Sequence, residues 1–238
     1  MPRVTIDDLL RSGVHFGHLT RRWNPKMKQY IFMERNGIYL VDLKKTQECI
    51  EAACDAVQKT VRQGDKILFV GTKKQAKDII KFHAQRSGQY YMNERWLGGT
   101  LTNFATIKKN IRQLHILEKK EVDGTYERIT KRERLQIEKQ KEKLLRILSG
   151  IAEMVKLPGA VFITDVQKEA IAVKEALRLD IPIIAILDTN SDPDGIAYPI
   201  PGNDDSYKSI ELLTRVISDA IIELSVKEPT PVEAVQSA

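Results

Sequence analysis

Side chains that build metal centres and covalent cross-links are scarce in this chain, which has two cysteines and four histidines in 238 residues. Cys49 and Cys54 stand five apart in a stretch of helical periodicity. That spacing fits neither a zinc site nor a disulfide framework, so both are read as small core residues in a reducing compartment. No run of about 18 apolar residues occurs, which excludes a membrane-crossing helix. Residues 1–17 lack the apolar core of a signal peptide, and the expected location is the cytoplasm.

Catalytic signatures are missing as well. Val70-Gly71-Thr72-Lys73-Lys74 is a strand-to-helix turn whose helix start can receive a phosphate. It has neither the glycine fingerprint of dinucleotide sites nor the spaced glycine and Lys-Ser/Thr of a P-loop. His15 and His18 fall in a loop, His83 and His115 in charged helices, and no Ser/His/Asp or Cys/His constellation assembles from them. Zinc at His15 and His18 lacks a nearby cysteine or third histidine. Asp188-x-Asn190-x-Asp192 opens like a calcium loop, but Pro193 stands in the glycine position and Pro199 in that of the bidentate glutamate. A structural divalent ion held by His18, Asn24, Asp188, Asp204 and Asp205 stays open beside the plainer reading of solvated loop acids. No cofactor is required.

What the chain has in quantity is charge, unevenly placed. The net +6 divides into 18 Lys+Arg against 10 Asp+Glu over residues 1–104, 14 against 8 over 105–156, and 6 against 14 over 157–238. A polyanion is the natural partner of the first two-thirds. Between residues 15 and 30, His15, His18, Arg21, Arg22, Lys26 and Lys28 interleave with Phe16, Trp23 and Tyr30, as binding to phosphates and unpaired bases requires. Aromatics packed on a sheet are the plainer account of the same pattern.

Elsewhere two periodicities alternate. Thr5-Ile6-Asp7-Asp8-Leu9-Leu10 reads as a short capped helix. Ile38-Tyr39-Leu40-Val41, Ile67-Leu68-Phe69-Val70, Tyr90-Tyr91-Met92, Ala160-Val161-Phe162-Ile163 and Ile183-Ile184-Ala185-Ile186-Leu187 read as strands, with an extended piece over 197–200. Helices are expected over 44–62, 73–86, 168–179 and 207–224. The apolar runs are of the kind buried on both faces of a parallel sheet. The expected fold is therefore α/β: a doubly wound, mostly parallel sheet, Rossmann-like or flavodoxin-like.

An inserted α-helical coiled-coil hairpin interrupts that rhythm. Phe104, Ile107, Ile111 and Leu114 form one apolar seam; Ile137, Leu144, Leu148, Ile151 and Val155 form another, with Lys141 intruding between Ile137 and Leu144. Residues 122–125 make the turn, and Thr130 with Glu133 fits a capping box. The divisions expected are 1–37, an N-terminal helix and polyanion-binding loop; 38–104 and 158–226, the halves of the α/β domain; 105–157, the hairpin; and 227–238, a disordered tail.

Before the hairpin lies Asn93-Glu94-Arg95-Trp96-Leu97-Gly98-Gly99-Thr100-Leu101-Thr102-Asn103-Phe104, a joint with paired glycines and capping side chains. From the residues alone, a polyanion-binding structural protein ranks first, a sugar-phosphate or nucleotide-binding α/β enzyme second, and a protein-only interaction module third. Residues 95–103, read with Gly13-Val14-His15-Phe16-Gly17-His18, Thr20-Arg21-Arg22-Trp23-Asn24-Pro25-Lys26-Met27 and Phe69-Val70-Gly71-Thr72-Lys73-Lys74-Gln75, resemble the bacterial S-two family of small-subunit ribosomal proteins. The likeness runs to about Leu224.

That resemblance implies a non-enzymatic ribosomal constituent, part of a ribonucleoprotein at work in translation. It implies contact with small-subunit ribosomal RNA, a role in assembly and in recruiting the large S-one protein, and no homo-oligomer in the particle. The expected RNA face is Arg21, Arg22, Trp23, Lys26, Lys28, Arg95 and Trp96, with Lys73, Lys74, Lys108, Lys109 and Arg112 as secondary members.

Overall fold

The computed structural model describes residues 2–122 and 130–227. Helix α1 (Ile6–Arg11) opens on Thr5, whose hydroxyl and the Asp8 carboxylate form the expected capping box. Strands β1 (Phe16–Leu19), β2 (Ile31–Arg35) and β3 (Ile38–Val41) form a small antiparallel sheet in the order β1-β3-β2. This corrects two expectations. Part of the 15–30 segment is strand, with 3-10 turns at Thr20–Arg22 and Pro25–Tyr30. Ile38–Val41 pairs with these N-terminal strands and stays out of the parallel sheet.

The main sheet comprises β4 (Ile67–Val70), β5 (Tyr90–Met92), β6 (Ala160–Ile163), β7 (Ile183–Leu187) and β8 (Tyr198–Pro201), ordered β5-β4-β6-β7-β8 and parallel throughout. That is the flavodoxin-like winding, whose direction reverses between β4 and β6. Alternate side chains of these strands enter separate cores. Ile67, Phe69, Phe162, Ile184 and Ile186 face α1, α2 (Leu43–Arg62), α3 (Lys77–Arg86) and α7 (Tyr207–Lys227). The rings of Phe69 and Phe162 meet at 5.2 Å.

Leu68, Val70, Val161, Ile163, Ala185 and Leu187 face the other way, onto α6 (Ala170–Arg178) and the roots of α4 (Phe104–Val122) and α5 (Lys131–Leu148). Each fully buried large side chain in these layers contributes about 1.5–3 kcal/mol. The expected helix starts at 73 and 168 come later: residues 73–76 form a turn before α3, and α6 begins at Ala170.

Helices α4 and α5 pack against each other, with Ile107, Ile111, Leu114 and Leu148 buried. Thr130 and Glu133 make the predicted capping box. The second seam ends sooner than expected: α5 stops at Leu148, Ile151 lies in a 3-10 turn over Ser149–Ile151, and Val155 is 74% exposed. The turn expected over 122–125 falls mostly, and the tail after Lys227 wholly, outside the described residues. No helix among the described residues is long and apolar enough to cross a membrane.

Candidate nucleic-acid interface

In an open parallel sheet, loops at the carboxyl ends of the strands form the natural binding edge. The N-terminal segment lies across this edge. The Asn24 N–H donates to the Thr189 carbonyl at 2.8 Å, the His18 N–H donates to Thr189 Oγ1 at 2.9 Å, and Met27 is fully buried in the second core. This anchoring brings Arg21, Arg22, Trp23, Lys26 and Lys28 to the end of the sheet that also carries Lys73, Lys74 and Arg95. Arg21 and Arg22 ride exposed on their 3-10 turn, and Trp23 is half-buried with its ring 5.0 Å from that of Tyr39.

Beneath them lies a compact ionic cluster. Lys73 Nζ reaches Asp165 at 2.7 Å, Asp204 at 2.7 Å and Asp205 at 2.8 Å. Burial works against the Lys73 ammonium, but hydrogen bonds from it to Asp165 and Asp204 outweigh this and hold its pKa above the usual lysine value. Burial pushes the Asp204 carboxyl up to about 7, the Asp165 and Asp188 carboxylates add to the rise, and Lys73 offsets part of it. His18 stands at 3.0 Å from Asp188 through Nδ1 and 3.4 Å from Asp205 through Nε2. The hydrogen bond to Asp188 raises its pKa against the opposing effect of burial.

The five residues read as metal ligands do not converge as a set. His18, Asp188, Asp204 and Asp205 belong to this cluster, with Lys73 as its countercharge. Asn24 instead accepts the Lys26 N–H at 3.0 Å and caps its own turn. Among the described residues, no group of three or more His, Cys, Asp or Glu is arranged to hold a metal ion.

Two glutamates that sequence reasoning missed organise the neighbouring loops. At the winding reversal, Glu169 Oε1 accepts from Thr72 N–H at 2.7 Å and Thr72 Oγ1 at 2.6 Å. An internal carboxylate thus takes the turn where a nucleotide enzyme of this fold binds its phosphate. Lys73, the cation such a ligand would use, is turned into the aspartate cluster. The geometry counts against the enzyme reading.

Glu175 of α6 is 7% exposed and receives five donors from the Arg95–Phe104 joint. Trp96 Nε1 and Gly99 N donate to one oxygen at 3.0 and 2.7 Å. Leu101 N, Thr102 N and Thr102 Oγ1 donate to the other at 2.9, 3.1 and 3.1 Å. Burial alone would raise this carboxyl; donors from Trp96, Thr102, Leu101 and Gly99 outweigh it and hold the pKa below the usual carboxylate range. Gly99 has φ +85°, a conformation that glycine adopts without strain. A signal for Glu175 was present: it shares the buried face of α6 with Ala172 and Ala176, where a carboxylate demands donors.

Trp96 is therefore a packed side chain, 7% exposed, in place of the stacking surface expected. Lys26 is committed to Asp192 at 2.9 Å and Asp194 at 2.5 Å. Lys108 lies over the Phe104 ring at 4.9 Å. Arg21, Arg22, Lys28, Lys74, Arg95, Lys109 and Arg112 are exposed and have no side-chain ion pair or hydrogen bond among the described residues. This subset of the predicted face is free to meet a polyanion.

Comparison with known proteins bears on this arrangement. The family model described as "Ribosomal protein S2" matches residues 9–224. The "Small ribosomal subunit protein uS2" of Chloroherpeton thalassium is 57% identical over 223 residues, covering 94% of this chain and 89% of that protein. The proteins of the same name from Chlorobaculum tepidum and Chlorobium phaeovibrioides are each 54% identical, covering 93% of this chain and 89% and 86% of theirs. With a match of that length, spanning both halves of the sheet and the helices between them, the chain belongs to the ribosomal protein S2 family.

Proposed function

We propose that this chain is a structural, non-enzymatic constituent of the small subunit of the cytoplasmic ribosome, held there by small-subunit ribosomal RNA. Family membership carries the proposal. The cations at the carboxyl end of the sheet that have no partner among the described residues support its chemical form: Arg21, Arg22, Lys28, Lys74 and Arg95, joined by Lys109 and Arg112 near the root of α4. Exposed guanidinium and ammonium groups without internal partners lose little on meeting phosphates, and they release counterions from the RNA. Trp23 offers the one half-exposed indole beside them, suited to an unpaired base.

In this reading the expected divisions are working units. Residues 1–37 and the hairpin over 105–157 touch RNA together with Lys74 and Arg95 of the 38–104 half, and the sheet built from 38–104 and 158–226 carries them. Recruitment of the S-one protein and contact with other small-subunit proteins belong to the same proposal, with one copy of the chain in each particle. It needs no metal, because Lys73 already supplies positive charge to the acids.

The test is binding of the purified protein to small-subunit ribosomal RNA across a salt series. Replacing Arg21, Arg22 and Lys28 together by Ala should lower the slope of log affinity against log salt by about two to three units. A triple variant with the wild-type slope would remove these three residues from the interface. Saturable binding of a small sugar phosphate would favour the enzyme reading instead.

A further inference from the structure

We propose that Glu175 is the positioning residue for the RNA-facing end of the molecule, one buried carboxylate that sets both Arg95 and the root of the α4–α5 hairpin. The inference rests on the RNA-binding reading above. Its five donors all come from residues 96–102, the segment between the exposed Arg95 and the first turn of α4. Among the described residues no cation pairs with Glu175, so N–H and O–H dipoles alone stabilise its charge. An apolar side chain would satisfy packing at this point in the core. A carboxylate does something packing cannot: it selects the one loop conformation in which four backbone and side-chain N–H groups and a hydroxyl converge.

The consequence for binding follows from what hangs on that loop. Arg95 directly precedes Trp96, whose indole is bound and buried, so the guanidinium starts from a fixed Cα. Phe104 begins α4 two residues after Thr102, and Lys108, Lys109 and Arg112 lie in its first turns. The carboxylate is thus the shared reference point of two groups of cations that must meet phosphates at set separations.

The test compares wild type with Glu175→Gln, which keeps shape but points an NH2 at N–H donors. The first readout is amide hydrogen exchange in the free protein at Gly99, Leu101 and Thr102, with Phe69 and Phe162 at the sheet centre as controls for global stability. Exchange at the three loop amides should rise about tenfold or more while the controls hold, as expected when charged hydrogen bonds are lost locally. The second readout is the salt series with small-subunit ribosomal RNA. Affinity should fall about tenfold and the slope by about one unit, since misplaced cations no longer neutralise their phosphates.

Unchanged exchange and unchanged slope in folded Glu175→Gln overturn the proposal. So does lowered affinity with an unchanged slope, which would report a general loss of stability. If that variant does not fold, Trp96→Phe and Thr102→Ala each remove one donor. Both should move the remaining loop amides in the same direction, and wild-type exchange in both overturns the inference. Absence of salt-dependent binding by the wild type would instead defeat the RNA reading, and the exchange experiment tells the two failures apart.

Discussion

The backbone of Gly150 lies directly against Tyr91: a Cβ at position 150 would stand 2.1 Å from the Tyr91 carbonyl oxygen and 2.6 Å from its ring. This contact seats the 3-10 turn after α5 on strand β5. Gly150→Ala is expected to cost about 2 kcal/mol or more, because backbone must move to admit the methyl. Denaturant unfolding of the variant measures it. A midpoint equal to wild type would show that the turn shifts freely.

Stability should fall as pH rises from mildly acidic to mildly basic. The Asp204 pKa of about 7 lies above its unfolded value of 3.8, so the folded state holds an extra proton between those limits and loses that advantage as pH climbs through them. His18, also raised, contributes fully below about 6.5 and loses its contribution through its higher folded value. The melting temperature is therefore expected to be lower at pH 8.5 than at pH 6. Asp204→Asn should flatten the dependence, and a wild-type curve rising over this range would contradict the assignment.

Two neighbouring lysines should behave differently. Lys26 is held by Asp192 and Asp194, whereas Lys28 is exposed and unpaired among the described residues. Lys28→Ala should lower the salt slope of RNA binding by about 0.7 to 0.9 of a unit, and Lys26→Ala by much less. Equal effects would mean that RNA draws Lys26 away from its aspartates.

A chelator should leave the free protein's melting temperature unchanged to about one degree. Lys73 meets Asp165, Asp204 and Asp205 at hydrogen-bonding distance, leaving the cluster a charge of its own to balance the acids. A marked drop in the presence of EDTA would place a divalent ion among them.

The framework was legible because its signals are local. The runs at 67–70, 90–92, 160–163 and 183–187 coincide with observed strands, and Thr5 and Thr130 cap the helices that their spacing announced. Ile38–Val41 was misplaced for a physical reason. A four-residue apolar strand does not encode its partner, and here the partners are N-terminal strands whose burial pattern is mostly exposed.

For the site, composition located the basic regions but not which cations are spent internally. Lys26 and Lys73 look like Lys28 and Lys74 in sequence, and their aspartate partners lie more than 90 residues away. Trp96 was misjudged for the same reason, since its acceptor Glu175 is 79 residues distant.

The outer strand β8 has one more implication. The Gly202 N–H donates to Leu187 of β7, so by alternation Pro199 and Pro201 sit where a strand's amides point away from the sheet. That rim offers carbonyls but no N–H at either proline, and an arriving strand finds half of its hydrogen-bonding ladder missing. The chain is thereby shielded from edge-to-edge polymerisation along this strand.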